Sequence, residues 1–407
     1  MRASARKCWR EVPFGTIVSH SAFGPRFSGS AYGNDGNIAT LRTTDIEDDG
    51  CISYGTMPLA LLDEVRFANH LLTVGDLVIT RSGTCGIAAV FEGFGLPVLP
   101  GAFLIRFRLN ECAEPRFYRY YFNSPSGRQN ILSVARGAVQ QNLNITNVET
   151  LRVPLPTLSE QRRIVDLLSA YDNLIENNRR RMALLEEAGR QLYREWFVRL
   201  RFPGHEHVRI IDGVPEGWEK KTIHDLTSFL KRGIAPHYDD DAQGLVINQK
   251  CVRDGRLDHN LARHQSREYS GERQLQVGDV LVNSTGEGTL GRVAQVKSPI
   301  ENCTVDSHVT IVRPKPGIPI YFFGMAVMAW ELQYATMGRG ATNQTELSPA
   351  AIGGTQIVMP SGVYGEQFEK FIEPVIQQLT NLVKQNDRLK FARDLLLPRL
   401  MNGEIEV

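Results

Sequence analysis

The sequence has no long apolar run: no stretch approaches the roughly 18 uncharged apolar residues that a membrane span needs, so nothing in it reads as a membrane segment. Cysteine is sparse and unpatterned. Cys8, Cys51, Cys85, Cys112, Cys251 and Cys303 form no CxxC pair, which points to reduced thiols of a cytoplasmic protein rather than a zinc site or a disulfide framework. The basic start, Met1-Arg2-Ala3-Ser4-Ala5-Arg6-Lys7, is not followed by the apolar stretch of a secretory signal. Charge of one sign is also lacking. The net value is +1, against a protein that coats nucleic acid non-specifically, although a local basic face would still suffice for DNA.

Catalytic signatures are missing as well. No G-x-x-x-x-G-K-[ST] loop exists, which excludes a translocating P-loop ATPase. The chain contains no Pro-Pro dipeptide, so it lacks the Asn/Asp-Pro-Pro-aromatic motif with which adenine methyltransferases hold a flipped base. Phe91-Glu92-Gly93-Phe94-Gly95 fits the F-x-G-x-G pattern of S-adenosylmethionine loops, but Leu96-Pro97 follows it where a helix should start. Asp212, Glu219 and Lys221 could be assembled into a nuclease site, yet such spacing arises easily and Glu219 belongs to a repeated segment. His205-Glu206-His207 reads as a solvated loop, and the nine histidines form no ligand set. We therefore expect no catalytic residue, no metal and no cofactor in this chain.

What is present is an internal repeat. Val74-Gly75-Asp76-Leu77-Val78 returns as Val277-Gly278-Asp279-Val280-Leu281, a shift of 203 residues. Trp9 pairs with Trp218, Gly83 with Gly286, and Arg136-Gly137-Ala138 with Arg339-Gly340-Ala341. Val153-Pro154-Leu155-Pro156 pairs with Ile357-Val358-Met359-Pro360, and Glu160-Gln161 with Glu366-Gln367. The matches are collinear, at shifts of 203 to 209 residues, which chance does not supply.

Each repeat opens with a Gly- and turn-rich part carrying short apolar runs at 77–80, 87–91 and 103–107, and again at 280–282, 292–296 and 309–312. Runs bounded by Gly and Pro predict strands. Helix-like stretches at 116–123 and 321–330 make each part a compact α/β module. The second part of each repeat is helical. Ile164, Leu168, Tyr171, Ile175, Met182, Leu185, Leu192 and Trp196 follow a heptad seam, with Asn178 and Gly189 in the gaps. The second copy runs Phe368, Ile372, Val375, Leu379, Leu382, Asn386 and Leu389. Asn178 and Asn386 take matching places, where a polar residue costs stability but fixes register. Pro374 must start the second helix or kink it. The expected architecture is α/β, with modules at 1–155 and 204–360 separated by two long antiparallel coiled-coil helices at 156–203 and 361–407. The first helix, near 40 residues, would span about 60 Å.

The residues carry a family resemblance. Pro154-Leu155-Pro156-Thr157-Leu158-Ser159-Glu160-Gln161-Arg162-Arg163-Ile164-Val165 resembles the entry into the central helix of type I restriction–modification specificity subunits. Leu184-Leu185-Glu186-Glu187 and Leu192-Tyr193-Arg194-Glu195-Trp196-Phe197-Val198 resemble its end. Gly217-Trp218-Glu219 resembles the start of a second target-recognition domain, and Asp394-Leu395-Leu396-Leu397-Pro398-Arg399-Leu400-Met401-Asn402-Gly403-Glu404-Ile405 the usual C-terminal segment. The resemblance implies that each domain reads one half of a bipartite, asymmetric site in double-stranded DNA. It implies that the helices set the gap and dock two methyltransferase subunits, which hold S-adenosylmethionine and methylate adenine. A restriction subunit using ATP and magnesium is a further partner of such complexes. A coiled-coil adaptor whose modules bind proteins is the alternative reading, and a stand-alone nuclease a third.

Base reading needs Arg or Lys for guanine and Asn or Gln for adenine, on loops whose small residues allow close approach. In the first module the candidates are Arg81, Ser82 and Thr84, with Arg136, Gln140 and Gln141. In the second they are Lys231, Arg232, Asn248 and Lys250, with Asn283, Ser284 and Thr285, and with Arg339, Asn343 and Gln344. Residues shared by the two modules are expected to be scaffold, and base readers to sit where the modules differ. Arg179-Arg180-Arg181 is expected to be a solvated or partner-facing run. Trp196, Phe197 and Phe202 are expected either to dock a partner or to close the coiled coil.

Overall fold

A computed structural model describes residues 9–135, 142–340 and 345–407. It divides into two compact units, Met1–Asn177 with Asn386–Val407, and Asn178–Gln385. Among the described residues no helix is long and apolar enough to cross a membrane.

The first unit holds a four-stranded antiparallel sheet in the order Val18–Phe23, Leu104–Leu109, Leu77–Thr80, Ala88–Val90. A three-stranded sheet has Ile38–Leu41 in the middle, antiparallel to Leu59–Ala60 and parallel to Val98–Pro100. A two-stranded ribbon pairs Glu11–Pro13 with Arg152–Pro154. The second unit repeats the plan. Its four strands run Thr227–Arg232, Val309–Pro314, Val280–Asn283, Val293–Gln295. Its three are Arg263–Gln265, Gly244–Ile247 and Cys303–Val305, and its ribbon is Glu219–Thr222 with Gln356–Met359.

Each central strand is apolar on both faces because each face meets a different core. Leu77 and Ile79 pack toward the helix Pro115–Asn123, while Val78 packs toward the three-stranded sheet. Val280 and Val282 likewise face the helix Ile320–Met328, and Leu281 the other side. The alternation follows the two-residue period of a strand. Each fully buried Val, Leu or Ile contributes about 1.5–3 kcal/mol.

The repeated Gly-Asp is a scaffold clamp. Gly75 and Gly278 have φ of 92° and 98°, a conformation glycine adopts without strain. Each following carboxylate is buried, closes its own turn and grips a neighbouring strand. Asp76 accepts from the Thr73 N–H at 2.8 Å and from Arg108 at 2.8 and 2.9 Å. Asp279 accepts from the Gln276 N–H at 2.8 Å and from Arg313 at 2.7 and 2.8 Å.

The first long helix, Leu158–Tyr193, starts at a capping box between Thr157 and Glu160 and ends in a π turn, Arg194–Val198. The second is Gly362–Met401. Within the first unit the start of the first helix packs beside the end of the second. Ile164 and Leu168 share a core with Leu400, and the Asn386 amide donates to the Ile175 carbonyl at 3.4 Å. Within the second unit Met182 shares a core with Phe368, Ile372, Leu379 and Leu382. Asn178 and Asn386 are both buried. Two expectations are narrowed. Pro374 does not start the second helix; it sits exposed inside it, where the carbonyl left without a donor, on exposed Lys370, can turn to water. Ile376, not Val375, is the fully buried residue of that turn.

Trp196, Phe197 and Phe202 are 6%, 6% and 1% exposed and belong to the core of the second unit, so they close its packing rather than offer a docking surface. Phe91–Gly95 leads into the strand Val98–Pro100, not into a helix. Lys221 and Glu219 pair with each other at 2.8 Å on an exposed ribbon strand.

Candidate nucleic-acid interface

Both modules build the same corner where three loops meet. In the second, the strand ending at Arg232 crosses over the chain at Val305–Asp306. The crossing is tight: a Cβ on Gly233 would lie 1.9 Å from the Val305 carbonyl oxygen. The first module crosses in the same way at Gly24, where a Cβ would lie 2.0 Å from the Gly101 carbonyl oxygen. Only glycine fits either point.

Beside the crossing lies the loop after the central strand. Its backbone is held alike in both copies. The Arg81 N–H donates to the Phe103 carbonyl at 2.9 Å, and the Leu143 N–H donates to the Arg81 carbonyl at 3.0 Å. The Ser284 N–H donates to the His308 carbonyl at 2.8 Å, and the Leu347 N–H to the Ser284 carbonyl at 2.8 Å. These bonds match three positions across the modules: Phe23, Arg81 and Phe103 in one, Arg232, Ser284 and His308 in the other. The guanidinium has changed loops. Arg81 lies over the Phe23 ring, 4.5 Å from its centroid. Where Phe23 stands, the second module has Arg232, whose Nη2 donates to Glu346 at 3.2 Å and to the Leu347 carbonyl at 3.3 Å. In both arginines the Nε is buried without a hydrogen-bond partner.

The other expected residues fall as follows. Ser82 is buried and Thr84 exposed. Asn283 and Ser284 are fully buried and shape their loop from beneath. Asn283 donates to the carbonyls of Gln249 and Thr289 at 3.0 and 3.2 Å, and Ser284 bonds Thr310 at 2.6 Å. Thr285 reaches the exposed His308 ring at 2.6 Å. Asn248 caps the turn that carries exposed Lys250, and the Gln249 bond ties this turn to Asn283. Arg339 is exposed and pairs backbone to backbone with Glu346. Arg232, Asn248, Lys250, Asn283, Ser284, Thr285 and Arg339 are thus one connected neighbourhood. Lys231 stands apart over the Phe229 ring. Arg136, Gln140, Gln141, Asn343 and Gln344 lie outside the described residues.

Several residues of this corner escaped sequence reasoning: Phe23, Phe103, His308, Asp306 and Arg273. Arg273 donates to the Gly233 carbonyl at 3.0 Å. Burial pushes the Asp306 carboxyl up, opposed by the His308 N–H at 2.9 Å and the His308 ring. Tyr238, with the Arg263 guanidinium 3.6 Å from its ring centroid, extends the surface as an exposed flat stack. The Asp306-x-His308 spacing between two strands was the available signal. Chemically the corner offers guanidinium, imidazole and ammonium donors beside aromatic faces, a set suited to phosphates and base edges.

Comparison with known proteins finds relatives of one kind. Residues 18–187 match the type I restriction modification DNA specificity domain. The MjaIX specificity subunit of Methanocaldococcus jannaschii is 23% identical over 71% of this chain and 69% of its own. The putative MjaX specificity subunit of the same organism is 24% identical over 84% and 80%. The crystal structure of a type I restriction–modification S subunit from M. genitalium shares the fold, with a TM-score of 0.60, 16% identity and 98% of both chains covered.

Proposed function

Taking the chain as a relative of the type I restriction enzyme specificity subunits, we propose that it reads a bipartite, asymmetric DNA site, one half with each module. The observation that carries this reading is the exchanged guanidinium: two copies of one scaffold present different side chains from the same corner. Conserved geometry with altered chemistry is what two different half-sites require. Arg81 and Thr84 serve the first half-site. Arg232, Thr285, Lys250 and Arg339 serve the second, supported from beneath by Asn283 and Ser284. Residues 1–155 and 204–360 act as the two target-recognition domains.

The long helices set the unread gap and dock two methyltransferase subunits, which bring S-adenosylmethionine. Exposed apolar residues along them, among them Leu174, Leu184, Phe371, Phe391 and Leu395, support a role in holding partners. The chain itself positions and does not catalyse. A restriction subunit with its ATP and magnesium joins the same assembly.

The test is to express the chain with its methyltransferase in an unmethylated host and map adenine methylation by single-molecule sequencing. One bipartite motif, present only with both proteins, is expected. Association of the two soluble proteins with no motif, and no salt-sensitive binding of the complex to duplex DNA, would favour a protein-binding adaptor instead.

A further inference from the structure

One position carries opposite chemistry in the two corners. Both modules make the same turn just before the strands Leu104–Leu109 and Val309–Pro314. The Leu104 N–H donates to the Gly101 carbonyl at 2.9 Å, and the Val309 N–H to the Asp306 carbonyl at 3.2 Å. The last residue of that turn accepts from the corner loop in both copies, Phe103 from the Arg81 N–H and His308 from the Ser284 N–H. Phe103 and His308 are thus one position of one scaffold, and both are exposed. Equal scaffolds bring that position to the same groove and the same depth in each half-site.

The two side chains ask for different base edges. Phe103 is 57% exposed and belongs to no core of its module. A phenyl ring has neither donor nor acceptor. The apolar group that a base edge can offer it is the 5-methyl of thymine, in the major groove. His308 is the reverse case. Its Nδ1 lies 2.6 Å from the Thr285 hydroxyl, whose proton has no other acceptor among the described residues. The hydroxyl therefore donates to Nδ1, and the neutral ring carries its proton on Nε2. The His308 N–H, donating to the Asp306 carboxylate at 2.9 Å, holds the turn in place. A ring N–H seeks an acceptor, and guanine shows only acceptors on its major-groove edge, N7 and O6.

We infer that Phe103 and His308 each choose one base of a half-site: Phe103 covers the 5-methyl of a thymine in the first, and Nε2 of His308 donates to N7 of a guanine in the second. Both assignments rest on the DNA reading proposed above, and they name the bases that its two corners take.

The test uses the full chain with its methyltransferase, mapped by adenine methylation. Phe103→His should change one thymine of one half-site to guanine. His308→Phe should change one guanine of the other to thymine, with the remaining half untouched in each case. On the unaltered complex, deoxyuridine in place of that thymine should weaken duplex binding about fourfold, the worth of one buried methyl. Replacing that guanine with 7-deazaguanine should weaken it about fivefold, the worth of one hydrogen bond. If a variant loses methylation altogether, these analogues decide. The assignment is overturned if both variants keep the original motif and only methylate it more slowly, which would make the two residues backbone contacts. It is also overturned if neither analogue weakens binding at any position; a Phe103 wedge between base steps, for example, would tolerate deoxyuridine. If the unaltered complex yields no motif and no salt-sensitive binding, the DNA reading itself falls, and this inference with it.

Discussion

The first module carries its corner guanidinium on the loop after the central strand, at Arg81; the second carries it on the crossing strand, at Arg232. Around them the backbone bonds are the same, and so are the glycines at the crossing. In the first module the arginine rests on an aromatic ring. In the second it is tethered to Glu346, and a histidine takes the place of Phe103. Residues that the modules share hold the frame, as Asp76 and Asp279 do. Residues that differ at equal positions give each module its own face. A protein that reads two different half-sites with one fold needs that division.

The largest expected effects probe the shared frame. Asp279→Ala leaves Arg313, 13% exposed, without its buried partner and should cost about 3–5 kcal/mol in urea unfolding. Arg108, the partner of Asp76, is 41% exposed, so Asp76→Ala should cost less, about 2 kcal/mol. Equal losses would mean that partner exposure does not separate the two clamps. Next comes the cluster that closes the first unit, where Asp172 accepts from Arg119 at 2.6 Å and from Arg393 at 2.7 Å. Asp172→Ala should cost about 3 kcal/mol, since the two arginines are left facing each other largely buried.

Smaller effects belong to the corner. Arg81→Ala should relax one half of the methylated motif and Arg232→Ala the other, each at about 1–3 kcal/mol of discrimination. Loss of both halves from either change would break the modular comparison. The smallest concern the helix starts that face each long helix. In the first unit the amide of Gln161 accepts from the Glu114 N–H at 2.8 Å and donates to the carbonyls of Cys112 and Pro156 at 3.0 Å. In the second, Glu369 accepts from the N–H groups of Tyr321 and Phe322, both at 2.9 Å. Gln161→Ala should cost about 1 kcal/mol at any pH between 4 and 8. Burial raises the Glu369 carboxyl above its ordinary 4.5, against those two N–H groups. The folded state therefore holds that proton more tightly than the unfolded chain. The stability this contributes is full below the ordinary carboxylate range and is lost as pH rises through the raised value. Glu369→Gln should flatten this part of the pH–stability curve, and an unchanged curve would remove Glu369 as its source.

Sequence alone determined the duplication, three strands of each four-stranded sheet and the long helices, but not the crossing strands Val18–Phe23 and Thr227–Arg232 or the three-stranded sheets. The features it determined are written in local periodicity: apolar runs bounded by glycine, and apolar steps of three and four with Asn178 and Asn386 in register. It also marked Arg81, Arg232 and Thr285, because arginine and hydroxyl residues beside glycine are visible in a string. The tertiary structure decided which of these meet. Phe23, Phe103, His308 and Arg273 are distant in the chain from the loops they support, and no period links them. It decided that Trp196 and Phe202 are core, since apolar residues at a helix end look the same whether covered or exposed. It also decided that Phe103 and His308 hold the same place in their modules, a match set by turns and backbone bonds that form only on folding.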